Sequence, residues 1–104
     1  MERRIWKAHV FPGKLDDYIR CHEEIWPEMV EALRAAGVRN YSIWNNGDEI
    51  IGYYECPNLE AADAFRAGNE TVQHWNEVMK DIMHMDEDAE TGQMLCFRQI
   101  FELE

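Results

Sequence analysis

The chain has 104 residues and a formal net charge of −11, and 46% of its residues are hydrophobic. This length suits one domain with its own hydrophobic core, so we expect a single domain over residues 1–104. The negative charge disfavours nucleic acid and anionic membrane surfaces as partners, since the few Lys and Arg residues form no basic stripe. The chain has no apolar run long enough to cross a bilayer and no secretory signal at its start, which predicts a cytoplasmic protein.

The first third of the chain predicts a strand followed by a broken helix. The run RRIWKAHVF is rich in strand-forming residues, and the PGK after it is a turn signal. A 3.6-residue period then places four side chains on one inward stripe: Leu15, Tyr18, Ile19 and His22. Because proline cannot continue a helix, we expect a break before Pro27 and a second helix from there to Gly37. His22 is thus predicted to point inward near this break, flanked by Tyr18 and Trp26.

The rest of the chain predicts a hairpin, two helices and a closing strand. VRNYSIW and EIIGYYEC flank NNGD, which is a strong hairpin signal. Helical spacing runs through NLEAADAFRAGN, where Asn58 can cap the helix, and through ETVQHWNEVMKDIM. The last of these helices should bury Val72, Trp75, Val78, Met79 and Ile82. After the acidic loop HMDEDAETG, the run GQMLCFRQIFEL predicts a last strand.

The order β-α-β-β-α-β predicts a ferredoxin-like α+β sandwich, in which helices cover one face of an antiparallel sheet. The other face would be open, yet the strands are apolar on both sides. In the closing strand, for example, Leu95 and Phe97 alternate with Met94 and Cys96. An uncovered face of that composition would be a large hydrophobic patch. We therefore expect a homodimer in which a second sheet covers this face, with a ligand pocket between the two sheets.

Few motifs in the chain indicate cofactor or metal chemistry. There is no phosphate-binding glycine loop and no dinucleotide fingerprint, which disfavours nucleotide cofactors. One metal-like pattern recurs at helical spacing: His74, Glu77, Asp81 and His84. A solvated helix face has the same composition, so we expect no metal site there, and we expect His9 to be a polar residue of the sheet. The three cysteines, at positions 21, 56 and 96, form no C-x-x-C and cannot all pair, which indicates a reducing compartment.

The residue types around His22 leave its role open. An inward histidine is either a ligand-facing group or a core residue with satisfied hydrogen bonds. Aromatic residues occur on several predicted elements: Tyr18, Trp26, Tyr41, Trp44, Tyr53, Tyr54 and Trp75. They could build an ordinary core, or a sugar site in which ring faces cover C–H patches and phenol hydroxyls meet sugar hydroxyls.

Three blocks of the sequence resemble the L-rhamnose mutarotase family. They are Y-x-x-x-H-x-x-I-W-P-E at Tyr18 to Glu28, G-x-x-N-Y-x-I at Gly37 to Ile43, and W-x-x-V/Y-M at Trp75 to Met79. The resemblance follows the order of nearly the whole chain. It implies a ferredoxin-like dimeric α+β barrel, and an activity that interconverts the α and β anomers of L-rhamnose or a related 6-deoxy-hexose without a cofactor.

The resemblance also assigns residues. It places the family's proton donor on His22 and its sugar-binding tyrosines on Tyr18 and Tyr41. The family's enterobacterial pattern has two adjacent tryptophans at the sugar; Trp75 matches the first, whereas Asn76 replaces the second. An amide offers hydrogen bonds where an indole offers a broad apolar face, so the preferred sugar is an open question. The predicted site therefore comprises His22 as the acid–base group and Tyr18, Trp26, Tyr41, Trp75 and Asn76 around the sugar.

Two other kinds of function remain as alternatives. Dimeric α+β barrels also host cofactorless monooxygenases and haem-handling proteins, whose flat apolar substrates would suit an aromatic pocket. A non-catalytic sugar-binding module would bind the same sugar without changing the exchange of its anomers.

Overall fold

The computed structural model describes residues 1–104 and contains four strands and four helices. In chain order these are β1 (Glu2–Val10), α1 (Leu15–Glu23), α2 (Pro27–Ala35), β2 (Arg39–Asn46), β3 (Glu49–Cys56), α3 (Leu59–Ala67), α4 (Glu70–Met79) and β4 (Met83–Met85). The strands form one antiparallel sheet in the order β2-β3-β1-β4. With the helices over one face, this is the ferredoxin-like α+β fold that the sequence predicts. None of the helices is both long and apolar enough to span a membrane.

The helices begin where the sequence places their start signals. Pro27 opens α2 at its first turn, where a missing N–H costs nothing, and α1 ends four residues earlier at Glu23. The side chain of Asn58 accepts a hydrogen bond from the Ala61 N–H at 2.9 Å, and that of Asn69 caps α4 in the same way. The predicted helix break beside His22 is therefore confirmed.

The core lies between the sheet and the helices. On β1 the side chains of Trp6, Ala8 and Val10 are buried at alternate positions. On β3 the side chains of Ile50 and Tyr54 are buried on the same face of the sheet. These strand residues face α1 to α4, whose own buried residues include Tyr18, Met29, Ala32, Ala62, Val72, Trp75 and Met79. The opposite side of the sheet, which we call the open face, carries Arg3, Ile5, Lys7 and His9 of β1, Glu49, Ile51, Tyr53 and Glu55 of β3, and Ser42 and Trp44 of β2.

Two side chains that the helical period assigned to the core are exposed. Ile19 is 41% exposed and Val78 is 37% exposed. Helix α4 also ends at Met79, earlier than predicted, because the chain turns there. The Ile82 N–H donates to the Met79 carbonyl at 2.9 Å, and the N–H of Phe11, the residue after β1, donates to the Ile82 carbonyl at 2.9 Å. This turn carries the chain into the sheet.

The predicted closing strand is wrong. The strand beside β1 is the short β4, which pairs Val10 with Met83 and Ala8 with Met85. Because β4 occupies that edge, the tail after Met94 has no place there and forms no regular secondary structure. Its apolar residues are left in solvent, with Ile100 86% exposed and Phe101 76% exposed.

Candidate active site

A cavity of about 870 Å³ opens between the sheet and the helices. Its size lies in the range of small-molecule sites. Trp6 and Tyr54 of the sheet form its floor, and residues of all four helices form its walls. The sequence placed a pocket between two sheets, on the open face, but the cavity lies on the opposite, helix-covered side.

His22 lies near the end of α1, and one of its ring nitrogens is already bonded. Its Nδ1 lies 2.9 Å from the backbone carbonyl oxygen of Tyr18, one helical turn back. A carbonyl can only accept, so Nδ1 carries the hydrogen and donates it. The Nε2 atom has no hydrogen-bond partner within the chain. In the neutral ring, Nε2 is therefore a free acceptor in a side chain that lines the cavity.

Aromatic rings hold the imidazole in place. The Tyr18 ring lies 4.4 Å from the His22 ring, centroid to centroid, and Trp75 meets it edge-on at 5.4 Å. Burial lowers the pKa of His22 below its usual 6.5, and the hydrogen bond to the Tyr18 carbonyl opposes this effect only in part. The ring is thus neutral at pH 7.

The two tyrosines predicted for the site stay protonated. Burial raises the pKa of Tyr41 to about 12 and also raises the pKa of Tyr18. Their phenols can donate and accept hydrogen bonds near neutral pH, but they are poor bases. Among the predicted residues, His22 is consequently the group suited to take up a proton.

A β-bulge sets the position of Tyr41. Asn40 has a φ of 51°, and two residues of β2, Asn40 and Tyr41, lie opposite Tyr54 of β3. The extra residue turns Tyr41 to the helix side of the sheet, where its ring lies 5.1 Å from that of Tyr54. The Tyr41 hydroxyl then accepts a hydrogen bond of 3.0 Å from the indole N–H of Trp6.

That hydrogen bond depends on a glycine. Gly52 pairs with Trp6 across the strands, and the indole lies over its backbone. A Cβ at position 52 would lie 2.0 Å from Cε2 of Trp6, which real atoms do not tolerate. Gly52 is what allows Trp6 to reach across β3 to Tyr41 on β2.

On α4, Trp75 and Asn76 both line the cavity. Trp26 does not line it. Its ring instead packs edge-on against Trp75 at 5.1 Å, and on its other side it lies 4.8 Å from the ring of His74. Trp26 thus supports Trp75 from outside the cavity.

The opposite end of the cavity is polar. Arg4 of β1 donates to both carboxylate oxygens of Asp63 on α3, at 2.6 and 3.0 Å. Arg4 and Arg66 also donate to the Tyr54 hydroxyl, at 2.9 and 3.1 Å. The buried Nε of Arg66 has no partner. The two guanidinium groups share the Tyr54 hydroxyl, and only Arg4 is paired with the Asp63 carboxylate, so this wall offers N–H donors to a ligand rich in oxygen.

Comparison with known proteins identifies the family. The family model for L-rhamnose mutarotase matches residues 3–103. The chain belongs to the L-rhamnose mutarotase family. The L-rhamnose mutarotase of Listeria monocytogenes is 38% identical over 85 residues, which are 80% of this chain and 81% of that protein. The one from Oceanobacillus iheyensis is 36% identical over 90 residues, or 85% of this chain and 86% of that protein.

Solved structures agree on the fold. The L-rhamnose mutarotase of Formosa agariphila superposes with a TM-score of 0.78 at 24% identity and covers all of both chains. Tetracenomycin F2 cyclase from Streptomyces glaucescens has a TM-score of 0.66 at 14% identity, with 99% of this chain and 100% of that chain covered. At these identities the likeness concerns the fold alone.

The structure brings most of the predicted site residues together. Tyr18, His22, Tyr41, Trp75 and Asn76 all line the one cavity. The lining also contains polar residues that were not predicted for the site: Arg4, Asp63, Arg66, Gln73, Lys80, His84 and Glu87. No local pattern could join Arg4 to residues about 60 positions later. A lone glycine inside a strand, as at Gly52, does signal close approach of another group and could have been used.

Proposed function

We propose that the protein is a cofactor-free mutarotase that interconverts the α and β anomers of L-rhamnose or a related 6-deoxy-hexose. The observation that carries this proposal is His22. Its Nδ1 is held by the Tyr18 carbonyl, and its free Nε2 belongs to a ring in an aromatic cavity large enough for a monosaccharide. Membership of the L-rhamnose mutarotase family favours this function over a cofactorless monooxygenase, a haem-handling protein or a non-catalytic sugar-binding module.

His22 would move the protons. Opening of a pyranose removes the proton of the anomeric hydroxyl, breaks the bond between C1 and the ring oxygen, and places a proton on that oxygen. A neutral imidazole with a free Nε2 can take the first proton, and the imidazolium so formed can supply the second. The two sugar oxygens are attached to the same carbon, so one nitrogen can serve both in turn.

Exchange of anomers is then completed by the open sugar itself. Rotation about the bond between C1 and C2 presents the other face of the aldehyde to the former ring oxygen. Ring closure reverses the proton transfers, so the enzyme returns to its starting state and no other reactant is consumed. The half-enclosed, largely apolar cavity would strengthen each hydrogen bond to the sugar.

The remaining predicted residues would hold the sugar. The Tyr18 and Tyr41 phenols would bond its hydroxyls, and the Trp75 indole would cover a C–H face. Asn76 would offer an amide beside Trp75. Trp26 would act as a positioning residue, because it contacts Trp75 and not the cavity.

The activity and the sugar are tested together by saturation-transfer NMR. Magnetisation exchange between the anomers of L-rhamnose, L-fucose, L-mannose and D-glucose is measured with and without the protein. We expect enhanced exchange for L-rhamnose or another 6-deoxy sugar. Exchange at the spontaneous rate for every sugar, under conditions where the protein is folded, would contradict the proposal.

We also infer a cytoplasmic homodimer built from one domain per chain. On the open face, Ile5, Ile51 and Trp44 are 40%, 45% and 68% exposed. The exposed apolar tail adjoins this face, since Arg3 bonds Gln99 at 3.2 Å and Glu102 at 2.8 Å. Covering this apolar surface with a second copy, as in a dimeric α+β barrel, would remove it from water.

A further inference from the structure

A cluster of metal-ligating side chains lies on the open face, and of its three residues only His84 also lines the cavity. His9 of β1 is the direct cross-strand partner of His84 of β4. Asp86 follows two residues after His84, so its side chain emerges on the same face. One potential ligand atom from each of the three residues lies within 4.8 Å of the others.

The cluster is already organised. The rings of His9 and His84 stack with a centroid distance of 5.9 Å and an interplanar angle of 18°. Nδ1 of His9 lies 2.6 Å from Oδ1 of Asp86. The Asp86 backbone N–H donates to the Lys7 carbonyl at 3.0 Å, and the side chain of Lys7 lies 3.7 Å from Oδ2. These contacts fix the carboxylate, whose side chain is only 14% exposed.

We propose that His9, His84 and Asp86 bind a divalent transition metal ion of the Zn²⁺ type. Two imidazoles and one carboxylate are a donor set that suits Zn²⁺ and Co²⁺, whereas Mg²⁺ and Ca²⁺ prefer oxygen ligands throughout. Bond lengths of about 2.0–2.2 Å place tetrahedral ligand atoms roughly 3.3 Å apart. Closing the three donors to that spacing requires side-chain rotation, chiefly of His84, which is exposed and stacks between the rings of His9 and Phe11.

The electrostatic setting favours a cation. Glu49 is the partner of His9 on the β3 side, and the whole chain carries a net charge of −11. Lys7 is the one opposing charge near the cluster, but its ammonium lies closer to Glu49, at 2.7 Å, than to Asp86. The metal ion replaces the proton between His9 and Asp86, and water completes its coordination.

Such an ion cross-links the two ends of the fold. It joins β1, at the start of the chain, to the three-residue strand β4 and the segment after it. Because only the folded chain brings the three donors together, binding stabilises the folded state. This role differs from the helical pattern considered in the sequence, since α4 ends at Met79 and leaves Asp81 and His84 outside it.

Co²⁺ titration of chelator-treated protein tests the proposal through the visible absorption of the bound ion. We expect one Co²⁺ per chain, displaceable by Zn²⁺, and a Tm that rises by roughly 10–20 °C at about a 100-fold excess of Zn²⁺ over its Kd. His84→Gln and Asp86→Asn should each weaken Co²⁺ binding at least tenfold. His74→Gln, which removes a histidine outside the cluster, should leave it unchanged.

Further controls make the result decisive. Cys96→Ser is titrated in parallel, since Cys96 is an exposed thiol that could bind Co²⁺ on its own. His9→Gln serves as a second test if His84→Gln melts early without metal. The absence of saturable Co²⁺ binding, equal binding by Asp86→Asn and wild type, or loss of binding in Cys96→Ser would each overturn the proposal.

Discussion

Substituting Gly52 by alanine tests how the sheet positions Trp6 and Tyr41 in the cavity. The added Cβ would lie 2.0 Å from Cε2 and 2.2 Å from Nε1 of Trp6. The indole lies within the core, 7% exposed, so it cannot move away without disturbing its neighbours. Any movement also breaks its 3.0 Å hydrogen bond to the Tyr41 hydroxyl.

The expected cost follows from these two effects. Overpacking a core typically costs about 1–3 kcal/mol, and loss of one hydrogen bond adds about 1 kcal/mol. Alanine also makes the unfolded chain less flexible than glycine does, which offsets roughly 0.5 kcal/mol of this destabilisation. Gly52→Ala should therefore lower the free energy of unfolding by roughly 1.5–3.5 kcal/mol, which in a domain of this size lowers Tm by on the order of 10–20 °C.

Thermal melts followed by circular dichroism measure this effect. Gly68→Ala is the matched control, because its φ is −95° and the nearest atom to an added Cβ is 3.8 Å away. In a Trp6→Ala background the cost of Gly52→Ala should nearly vanish, since the clashing ring is gone. Equal melting of Gly52→Ala and Gly68→Ala, or an unchanged cost in the Trp6→Ala background, would refute the reasoning.

Four further outcomes are expected. Because the pKa of His22 is lowered, its neutral form dominates above pH 6.5. The catalysed exchange rate should therefore be constant above pH 6.5 and should fall on acidification with a midpoint below pH 6.5. A midpoint above pH 6.5 would argue against His22 as the proton acceptor. Asn76→Trp should shift the relative NMR exchange rates of L-rhamnose and L-fucose without lowering Tm, and an unchanged ratio would place Asn76 outside the site. Tyr41→Phe should raise the sugar concentration needed for half-maximal exchange, at a binding cost of about 1 kcal/mol, and unaltered saturation would remove Tyr41 from the binding residues. Light scattering at micromolar protein should give the mass of a dimer, whereas a stable monomer would mean that the open face needs no second copy.

The sequence predicts the local structure well where the signals are local. Pro27, Asn58 and the NNGD turn act through their own backbone geometry, so the breaks and starts that they predict are found in the structure. The strand-forming run RRIWKAHVF likewise coincides with β1.

The failures concern competition between distant segments. The tail has the alternating pattern of a strand, but Met83–Met85 occupies the edge beside β1. No local pattern in either segment shows which of the two pairs with β1. For the same reason the sequence does not predict the cluster of His9 with His84, because the helical spacing that includes His74 extends to His84.

The candidate site shows the same division. Tyr18 and His22 lie one turn apart on α1, so the period alone places them together. Tyr41 joins them only because a bulge at Asn40 turns it inward, and the family resemblance supplied what the period could not. Trp26 matches the family block, but it contacts Trp75 from outside the cavity. Whether Trp26 lines the cavity depends on the packing of α2 against α4, which the sequence does not show.

The central proposal is that His22 carries the proton, and His22→Asn tests it most directly. The asparagine amide can still donate to the Tyr18 carbonyl, so the variant keeps the structural hydrogen bond while it loses Nε2. Exchange between the anomers of L-rhamnose is measured by NMR beside a melting curve and a sugar titration on the same sample. We expect a folded protein that binds sugar and has lost a factor on the order of 10² to 10⁴ in exchange rate. A folded His22→Asn protein that exchanges anomers at the wild-type rate would show that His22 is not the proton carrier.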